Sequence, residues 1–206
     1  PYEYQKQAVM FFEKSGGSCI LGDQPGVGKT LSAISYAVKN KLKTLVICPA
    51  SLKLNWRNEI QKFTNEKAFI YKYKPKRKSK EIVNKKEESL FHIINYEALE
   101  TFVKLNMSHR CAHHSCDWKD VNIKKKYDEC PSCGKKKTIK SRLNGIVFES
   151  KDGTSLDPKE YDLVVCDEAH YLKNPKANRT KVVKKGFVDV SKKLLLTGTA
   201  IKSAPY

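Results

Sequence analysis

The sequence predicts an α/β fold in which helices cover both faces of a mostly parallel sheet. Short apolar runs rich in Val, Ile and Leu alternate with helical stretches along the chain, as repeated strand–helix units require. A glycine-rich segment, GDQPGVGKT, joins the first such run to a helical stretch. A polar stretch with four cysteines interrupts the alternation and predicts a small separate insertion. The 206 residues are enough for one large or two small domains.

Three helices are predicted in the first third of the chain. Residues 2–15 place apolar side chains on one helical face, and two glycines then end that helix. Residues 29–40, KTLSAISYAVKN, form the second helix, directly after the glycine-rich segment. The third covers 51–63, SLKLNWRNEIQKF, for which we expect Ser51 to be the N-cap.

Six strands are predicted from apolar runs bounded by polar or glycine-containing segments. They cover residues 18–21, 43–49, 68–73, 91–96, 161–170 and 192–199.

The charge of the chain predicts a polyanionic partner. Forty Lys and Arg against 22 Asp and Glu give a net charge of +18, which attracts nucleic acid. The alternative is general solubility, since 35 of the 40 basic residues are lysines. The run KYKPKRKSK at 72–80 has six basic residues in nine and is a candidate phosphate contact or a solvated loop. With no stretch of about 18 apolar residues and no signal peptide, we expect an intracellular protein, in the cytoplasm or nucleoid, or in a eukaryotic nucleus.

The segment GDQPGVGKT predicts a phosphate-binding loop. The usual pattern, G-x-x-x-x-G-K-[ST], requires glycine where Asp23 stands. The remaining parts are present: Gly26 and Gly28 allow positive φ and close approach of backbone N–H groups to phosphate oxygens. Lys29 would reach the β- and γ-phosphates and Thr30 would ligate Mg²⁺. The loop therefore predicts ATP and Mg²⁺ as ligands.

Two carboxylates end the apolar run LVVCDEAH. Asp167 and Glu168 would lie at the carboxyl edge of the sheet, where ligands bind in open α/β folds. Asp167 would hold Mg²⁺, and Glu168 would orient or deprotonate the attacking water. We therefore interpret Lys29, Asp167 and Glu168 as the catalytic residues.

Together, these segments resemble a known family. The order of Gln5, GVGKT, VICPASLKLNW, INYEAL, DEAHYLKN and LLLTGT resembles the first RecA-like lobe of superfamily 2 helicases, and within them the Swi/Snf-type DNA-dependent ATPases. In that branch an aspartate commonly precedes the loop, as Asp23 does. The KN after DEAH also fits that branch, whereas DEAH RNA helicases usually carry Ser-Ala-Thr where 197–199 read TGT. The resemblance covers nearly the whole chain outside 107–145.

The resemblance implies further site residues. Gln5 would read the adenine edge, with Tyr2 or Tyr4 packing on the base. The nucleotide-binding set would be Gln5, Asp23, Gly26, Val27, Gly28, Lys29, Thr30 and Asp167. The nucleic-acid backbone would face Pro49, Ala50, Ser51, Asn95 and Tyr96. Coupling of phosphate state to lobe movement would use His170, Thr197, Gly198 and Thr199. Ala200 departs from the proline that the family usually carries there.

The resemblance also implies a division of labour between two lobes. Nucleotide lies between them in the resembling ATPases, and the second lobe supplies arginines that stabilise the transferring phosphoryl group. Residues 1–106 and 146–206 would form the first RecA-like lobe, and a second lobe is absent from this chain. The 206 residues alone are therefore expected to bind ATP–Mg²⁺ and to hydrolyse it poorly.

The cysteine cluster predicts a structural zinc site. Cys111-x4-Cys116 and Cys130-x2-Cys133 can supply four thiolates, and Gly134 permits the turn after the second pair. His109, His113 or His114 could replace a cysteine of the first pair. The predicted insertion, 107–145, is zinc-ribbon-like. It is either a surface insertion that the metal holds together or a surface that contacts phosphate. Cys19, Cys48 and Cys166 lie in apolar runs and are expected to be buried thiols.

We therefore expect an ATP-driven motor lobe that moves along duplex DNA without sequence preference. The alternatives are an RNA helicase lobe, or a nucleic-acid-binding module that works through its zinc insertion.

Overall fold

The structure, a computed structural model, describes residues 2–71, 86–120, 126–136, 139–149 and 155–198. The basic run at 72–80, Thr199 and Ala200 lie outside the described residues. The chain divides into two compact units, of which the first runs to Thr101 and resumes at Asp157. The second unit is Phe102–Leu156.

The described residues form ten strands and five α-helices. The strands are β1 (Ser18–Leu21), β2 (Thr44–Cys48), β3 (Ala68–Ile70), β4 (Phe91–Asn95), β5 (Val103–Cys111), β6 (Lys119–Asp120), β7 (Ile139–Glu149), β8 (Ser155–Leu156), β9 (Leu163–Cys166) and β10 (Lys192–Leu196). The helices are α1 (Glu3–Lys14), α2 (Lys29–Lys39), α3 (Lys53–Phe63), α4 (Tyr96–Phe102) and α5 (Asn178–Gly186).

The first unit contains a six-stranded sheet in the order β1-β10-β9-β2-β4-β3. Every neighbouring pair is parallel, which confirms the predicted parallel sheet. All residues of β2, β4 and β9 are buried. Because successive side chains of a strand point to opposite faces, both faces of these central strands are covered.

The parallel arrangement gathers the predicted site residues at one edge of this sheet. The carboxyl ends of β1, β10 and β9 are neighbours, and they lead into Gly22, Thr197 and Asp167 respectively. The next two strands along the sheet, β2 and β4, lead into Pro49 and Tyr96. Ligands bind at this edge in open α/β folds.

The three predicted helices form as α1, α2 and α3 with one correction, whereas α4 and α5 have no counterpart in the prediction. A 3₁₀ turn over Ala50–Leu52 precedes α3, so the residue at the N-cap is Leu52, without a side-chain cap bond. The prediction that Ser51 is the N-cap is therefore wrong, because the chain turns once more before the α-helix begins. Trp56 and Ile60 on α3 are buried, as is Phe12 on α1.

The second unit contains an antiparallel sheet in the order β6-β5-β7-β8. Its long pair, β5 and β7, runs from Val103 to Cys111 and from Ile139 to Glu149, with a register shift between Asn106 and Met107. The predicted limits of the insertion, 107 and 145, fall inside these two strands. Among the described residues of the chain, no helix has the length and apolar character to cross a membrane.

Candidate nucleotide site and cysteine cluster

The glycine-rich loop has the backbone of a phosphate-binding turn. Gly26 and Gly28 have φ of +87° and +78°, a region that costs side-chain-bearing residues free energy. Gly28 is the N-cap of α2, so the first N–H groups of that helix open onto the loop. Such a helix N-terminus attracts anions through its free N–H groups and its dipole.

Lys29 explains why Asp23 is compatible with this loop. The Lys29 ammonium Nζ donates to the main-chain carbonyls of Asp23 at 2.6 Å and of Gln24 at 2.8 Å. Because the contact uses the carbonyl, it does not depend on glycine at position 23. The Asp23 side chain is exposed, and Thr30, the predicted Mg²⁺ ligand, is half-buried at the start of α2 beside Lys29.

Gln5 lies at the base of a cleft beside the loop. Its side chain is 4% exposed, and its Oε1 accepts from the backbone N–H of Tyr2 at 2.9 Å. A Cβ on Gly28 would come within 2.2 Å of the Gln5 Nε2, so the amide packs directly on that glycine. The cleft, of about 610 Å³, is lined by Tyr2, Gln5, Gly28, Leu31, Ser35, Glu59 and Phe63. Of the two tyrosines predicted to pack on the base, Tyr2 lines this cleft, and it stacks on Tyr4.

Asp167 is buried at the end of β9, and each of its polar atoms has a hydrogen-bond partner. Its Oδ2 accepts from the Trp56 indole Nε1 at 2.8 Å and its Oδ1 from the Glu168 N–H at 2.9 Å. Its main-chain N–H donates to Ile47 at 2.8 Å, and its carbonyl accepts from the Tyr96 hydroxyl at 2.8 Å. The sequence patterns assign no role to Trp56, although this residue ends VICPASLKLNW, one of the segments that carry the family resemblance.

Burial raises the pKa of Asp167, and the surrounding donors oppose that effect. The Trp56 and Glu168 N–H groups lower the pKa by bonding the charged form, and the Lys29 ammonium lowers it further. The Glu168 carboxylate acts in the opposite direction.

Glu168, His170 and Thr197 form a chain of polar contacts across the ends of β9 and β10. Glu168 Oε2 is 3.1 Å from His170 Nδ1, and Thr197 Oγ1 is 3.5 Å from the same nitrogen. Glu168 has φ of +50°, which is rare for a non-glycine residue. Gly198 lies against the loop, because a Cβ there would come within 2.9 Å of Pro25 Cγ. Thr199, the remaining residue predicted for coupling, lies outside the described residues.

The residues predicted to face nucleic acid differ in exposure. Ala50 and Ser51 are exposed, whereas Pro49 is buried. Asn95 is 7% exposed and donates to Glu97 Oε2 at 2.8 Å. The side chain of Tyr96 requires a correction: it is 1% exposed and bonds Asp167, so it points into the protein and not towards a partner.

The four cysteines of the second unit come together as predicted. Their Sγ atoms all lie within 4.8 Å of one another, with Cys111–Cys133 and Cys116–Cys130 both at 3.7 Å. Zn–S bonds of about 2.3 Å place the sulfurs of a tetrahedral site about 3.8 Å apart, whereas a disulfide requires about 2.05 Å. The donor set therefore fits a tetrahedral thiolate-bound metal.

The turn after Cys130 has the expected geometry, and the histidines lie beside the cluster without joining it. Gly134 has φ of +67°, and its N–H donates to the Cys130 carbonyl at 2.8 Å. His113 Nδ1 is 3.0 Å from Ser115 Oγ, and its Nε2 contacts the Lys135 ammonium. His109, His113 and His114 are not members of the sulfur cluster.

The family described as "SNF2-related domain" matches residues 4–204. A DNA annealing helicase and endonuclease, ZRANB3, from Homo sapiens is 24% identical over 98% of this chain and 14% of its own length. The transcriptional regulator ATRX from Mus musculus is 27% identical over 96% of this chain and 7% of its own length. The chain thus spans a small part of these curated relatives.

Two solved structures share the fold. The UvsW helicase from Bacteriophage T4 gives a TM-score of 0.55 at 13% identity, over 97% of this chain and 52% of that one. A hypothetical ATP-dependent RNA helicase from Sulfolobus tokodaii gives 0.56 at 14% identity, over 96% and 46%. At this identity the likeness shows the fold alone, which is that of a RecA-like helicase lobe.

Proposed function

Because the chain belongs to the SNF2-related domain family, we propose that it is an ATP-binding motor lobe that couples ATP hydrolysis to movement along DNA. The family is one of DNA-dependent ATPases and helicases, for which ATP and Mg²⁺ are the expected ligands. We propose that the partner is duplex DNA bound without sequence preference, and that a second RecA-like lobe completes the nucleotide site. Such a protein acts inside the cell, where both ATP and DNA are found.

One observation supports this proposal above the others. The functional groups meet at the carboxyl edge of one sheet. The loop with Lys29 follows β1, and the buried Asp167 and half-buried Glu168 follow β9. These two strands are separated in the sheet by β10 alone. A cation, a helix N-terminus and two carboxylates at one edge form the arrangement that Mg²⁺-dependent phosphoryl transfer requires.

Each residue has a task in the proposed reaction. The loop N–H groups and Lys29 bind the phosphates, while Gln5 and Tyr2 hold the base in the cleft. Thr30 and Asp167 would hold Mg²⁺, which would neutralise charge on the transferring phosphoryl group. Glu168 orients the attacking water and accepts its proton, with His170 Nδ1 at 3.1 Å from its Oε2. The water oxygen bonds to the γ-phosphorus while the bond from that phosphorus to the β–γ bridging oxygen breaks, which yields ADP and phosphate.

For the second unit we propose a structural zinc ion held by Cys111, Cys116, Cys130 and Cys133. The sulfur spacing and the all-thiolate donor set support it. Four protein ligands leave no open coordination position, so we propose no catalytic role for this metal.

Substitution of Lys29 tests the proposed function. We expect Lys29→Ala to weaken ATP–Mg²⁺ binding at least tenfold, measured by calorimetry, because the variant lacks the ammonium that faces the phosphates. Lys39→Ala, at the other end of α2, is the matched control, because its ammonium pairs with Glu13 at 2.7 Å. Equal affinities of the two variants would contradict the phosphate-loop assignment. Stimulation of ATP hydrolysis by RNA but not by duplex DNA would favour the RNA helicase alternative.

A further inference from the structure

Asp167 receives hydrogen bonds from two buried aromatic side chains that come from separate helices, α3 and α4. The Trp56 indole N–H donates to its carboxylate, and the Tyr96 hydroxyl donates to its main-chain carbonyl, both at 2.8 Å. We propose that Trp56 and Tyr96 are positioning residues that fix the Asp167 carboxylate in the orientation in which it ligates Mg²⁺. This inference rests on the nucleotide site of the proposed function.

Trp56 approaches the carboxylate from α3. The side chain is 1% exposed, and it stands four residues after the 3₁₀ turn over Ala50–Leu52. Hydrogen bonds to a charged acceptor are stronger and shorter than those between neutral groups. The indole N–H is the part of Trp56 that bonds the Asp167 carboxylate.

Tyr96 holds the turn that follows the carboxylate. It is the first residue of α4 and is 1% exposed. Its ring stacks on Tyr171, with centroids 5.5 Å apart and planes at 7°. Tyr96 thus contacts the chain on both sides of Glu168, whose φ of +50° requires support from its surroundings.

The remaining polar groups of Asp167 are also fixed. Oδ1 accepts from the Glu168 N–H at 2.9 Å, and the Asp167 N–H donates to Ile47 at 2.8 Å. Mg²⁺ demands near-ideal octahedral geometry with oxygens at about 2.0–2.1 Å. A carboxylate that loses the hydrogen bond at Oδ1 or at Oδ2 can rotate, and its affinity for Mg²⁺ then falls while the phosphate loop is unaffected.

Both aromatic residues follow segments that are candidates for nucleic-acid contact. Trp56 comes shortly after Pro49, Ala50 and Ser51, and Tyr96 follows Asn95, the residues for which the family resemblance implies nucleic-acid contact. Of these, Ala50 and Ser51 are exposed. A shift of the segment before Trp56 would therefore act on the Asp167 carboxylate through the indole hydrogen bond. A shift at Asn95 would act on the Asp167 main chain through the Tyr96 hydroxyl.

The test compares Mg²⁺ dependence in three variants of the full 206-residue chain. Trp56→Phe removes the N–H and keeps an aromatic ring, and Tyr96→Phe removes one oxygen. Tyr71→Phe is the control, because Tyr71 is also 1% exposed and its hydroxyl bonds Tyr161 at 3.0 Å. Binding of a fluorescent ATP analogue is followed while Mg²⁺ is titrated, and again in EDTA. Thermal unfolding is recorded for each variant.

We expect the Mg²⁺ midpoint to rise about three- to tenfold in Trp56→Phe and about two- to fivefold in Tyr96→Phe, the usual effect of one lost hydrogen bond. We expect no change of the midpoint in Tyr71→Phe, and unchanged affinity in EDTA for all three. Should Trp56→Phe not be folded at the assay temperature, Tyr96→Phe decides.

Two results would overturn the inference. One is an unchanged Mg²⁺ midpoint in both variants. The other is an equal loss of affinity with and without Mg²⁺, which is the result of a general packing defect. Failure of the proposed function looks different, because the parent chain would then bind the nucleotide no better than Lys29→Ala does.

Discussion

Gly28 and Gly26 have similar backbone angles but different surroundings. Both have φ near +80°, so an alanine at either position costs roughly 1–2 kcal/mol of backbone strain. A Cβ on Gly28 would also come within 2.2 Å of Gln5 Nε2, whereas a Cβ on Gly26 would meet no atom within 4 Å. A comparison of the two alanine variants therefore separates the effect of backbone strain from the effect of displacing Gln5.

We expect Gly28→Ala to weaken ATP–Mg²⁺ binding clearly more than Gly26→Ala does, because it moves Gln5 away from the cleft in which we propose the base to bind. Calorimetric titration of both variants measures the difference, and thermal unfolding measures the strain that they share. Equal affinities would show that Gln5 does not contribute to nucleotide binding.

His92 is a buried residue whose charge depends on pH. Its Nε2–H donates to the Lys86 carbonyl at 3.0 Å, so its Nδ1 accepts from the Tyr161 hydroxyl at 2.7 Å. Burial lowers the pKa of His92 to about 4. Between that value and the unfolded value of about 6.5, the unfolded chain binds a proton that the folded chain does not. Stability is therefore lost as the pH falls through this window.

We expect the free energy of unfolding to fall by up to roughly 3 kcal/mol between pH 6.5 and 4 because of this one residue. The variant His92→Gln should be less stable at pH 7 but lose much of that slope, measured by urea unfolding at several pH values. His114→Gln, at an exposed position, is the control and should retain it. An unaltered slope in His92→Gln would assign the acid sensitivity to other groups.

At the scale of elements, the buried strands could be predicted and the second sheet could not. β2 and β9 are continuous apolar runs, because they are covered on both faces. β5 alternates polar and apolar side chains in KLNMSHRC and runs into the cysteine cluster, a pattern from which the sequence predicts a small zinc-ribbon-like insertion at 107–145 but not a strand that begins at Val103. α5 was missed for a similar reason, since Val182 is its one buried residue.

The second unit gives a prediction about metal removal. We expect purified chain to contain about one zinc, and chelation to loosen Phe102–Leu156 while the parallel sheet persists, because the four proposed ligands all belong to this unit. Hydrogen exchange would show lost protection in β5 and β7 and retained protection in β2 and β9. Cys133→Ser should lower the zinc content, and Cys19→Ser on β1 should not. Metal-free protein prepared without chelator, or full zinc content in Cys133→Ser, would contradict the four-cysteine site.

For the whole molecule, the positive charge predicts how the proposed DNA binding should depend on salt and on sequence. A net charge of +18 predicts contacts to phosphate, which release counterions and carry no sequence information. We expect the affinity for duplex DNA to fall steeply between about 50 and 200 mM salt and to be similar for unrelated sequences. Fluorescence anisotropy with two duplexes over a salt series measures both. An affinity that does not change with salt, or a strong preference for one duplex, would argue against phosphate contacts.

The candidate site could be predicted to the extent that it follows from strand order. Loops after parallel strands meet at one edge, so the ligand roles proposed for Lys29 and Asp167 followed from the sequence. What holds Asp167 did not, because Trp56 and Tyr96 lie 111 and 71 residues away along the chain. No local sequence pattern predicts such contacts. They exist because β9 lies beside β2 in the sheet and β2 lies beside β4. β2 leads into α3, which carries Trp56, and β4 leads into Tyr96.

The last prediction concerns what the 206 residues do alone. In the ATPases that this sequence resembles, the second lobe supplies arginines to the transferring phosphoryl group, a contribution of about 10³–10⁵ in rate. The chain has five arginines, none in a segment resembling that element, and Arg179 lies over the Tyr171 ring at 5.5 Å. We therefore expect the isolated polypeptide to bind ATP–Mg²⁺ and to hydrolyse it slowly, with little stimulation by DNA. A continuous phosphate-release assay at several protein concentrations measures this. Fast DNA-stimulated turnover that is independent of protein concentration would mean that the chain supplies the missing charge itself, and turnover that rises with concentration would mean that a second copy does.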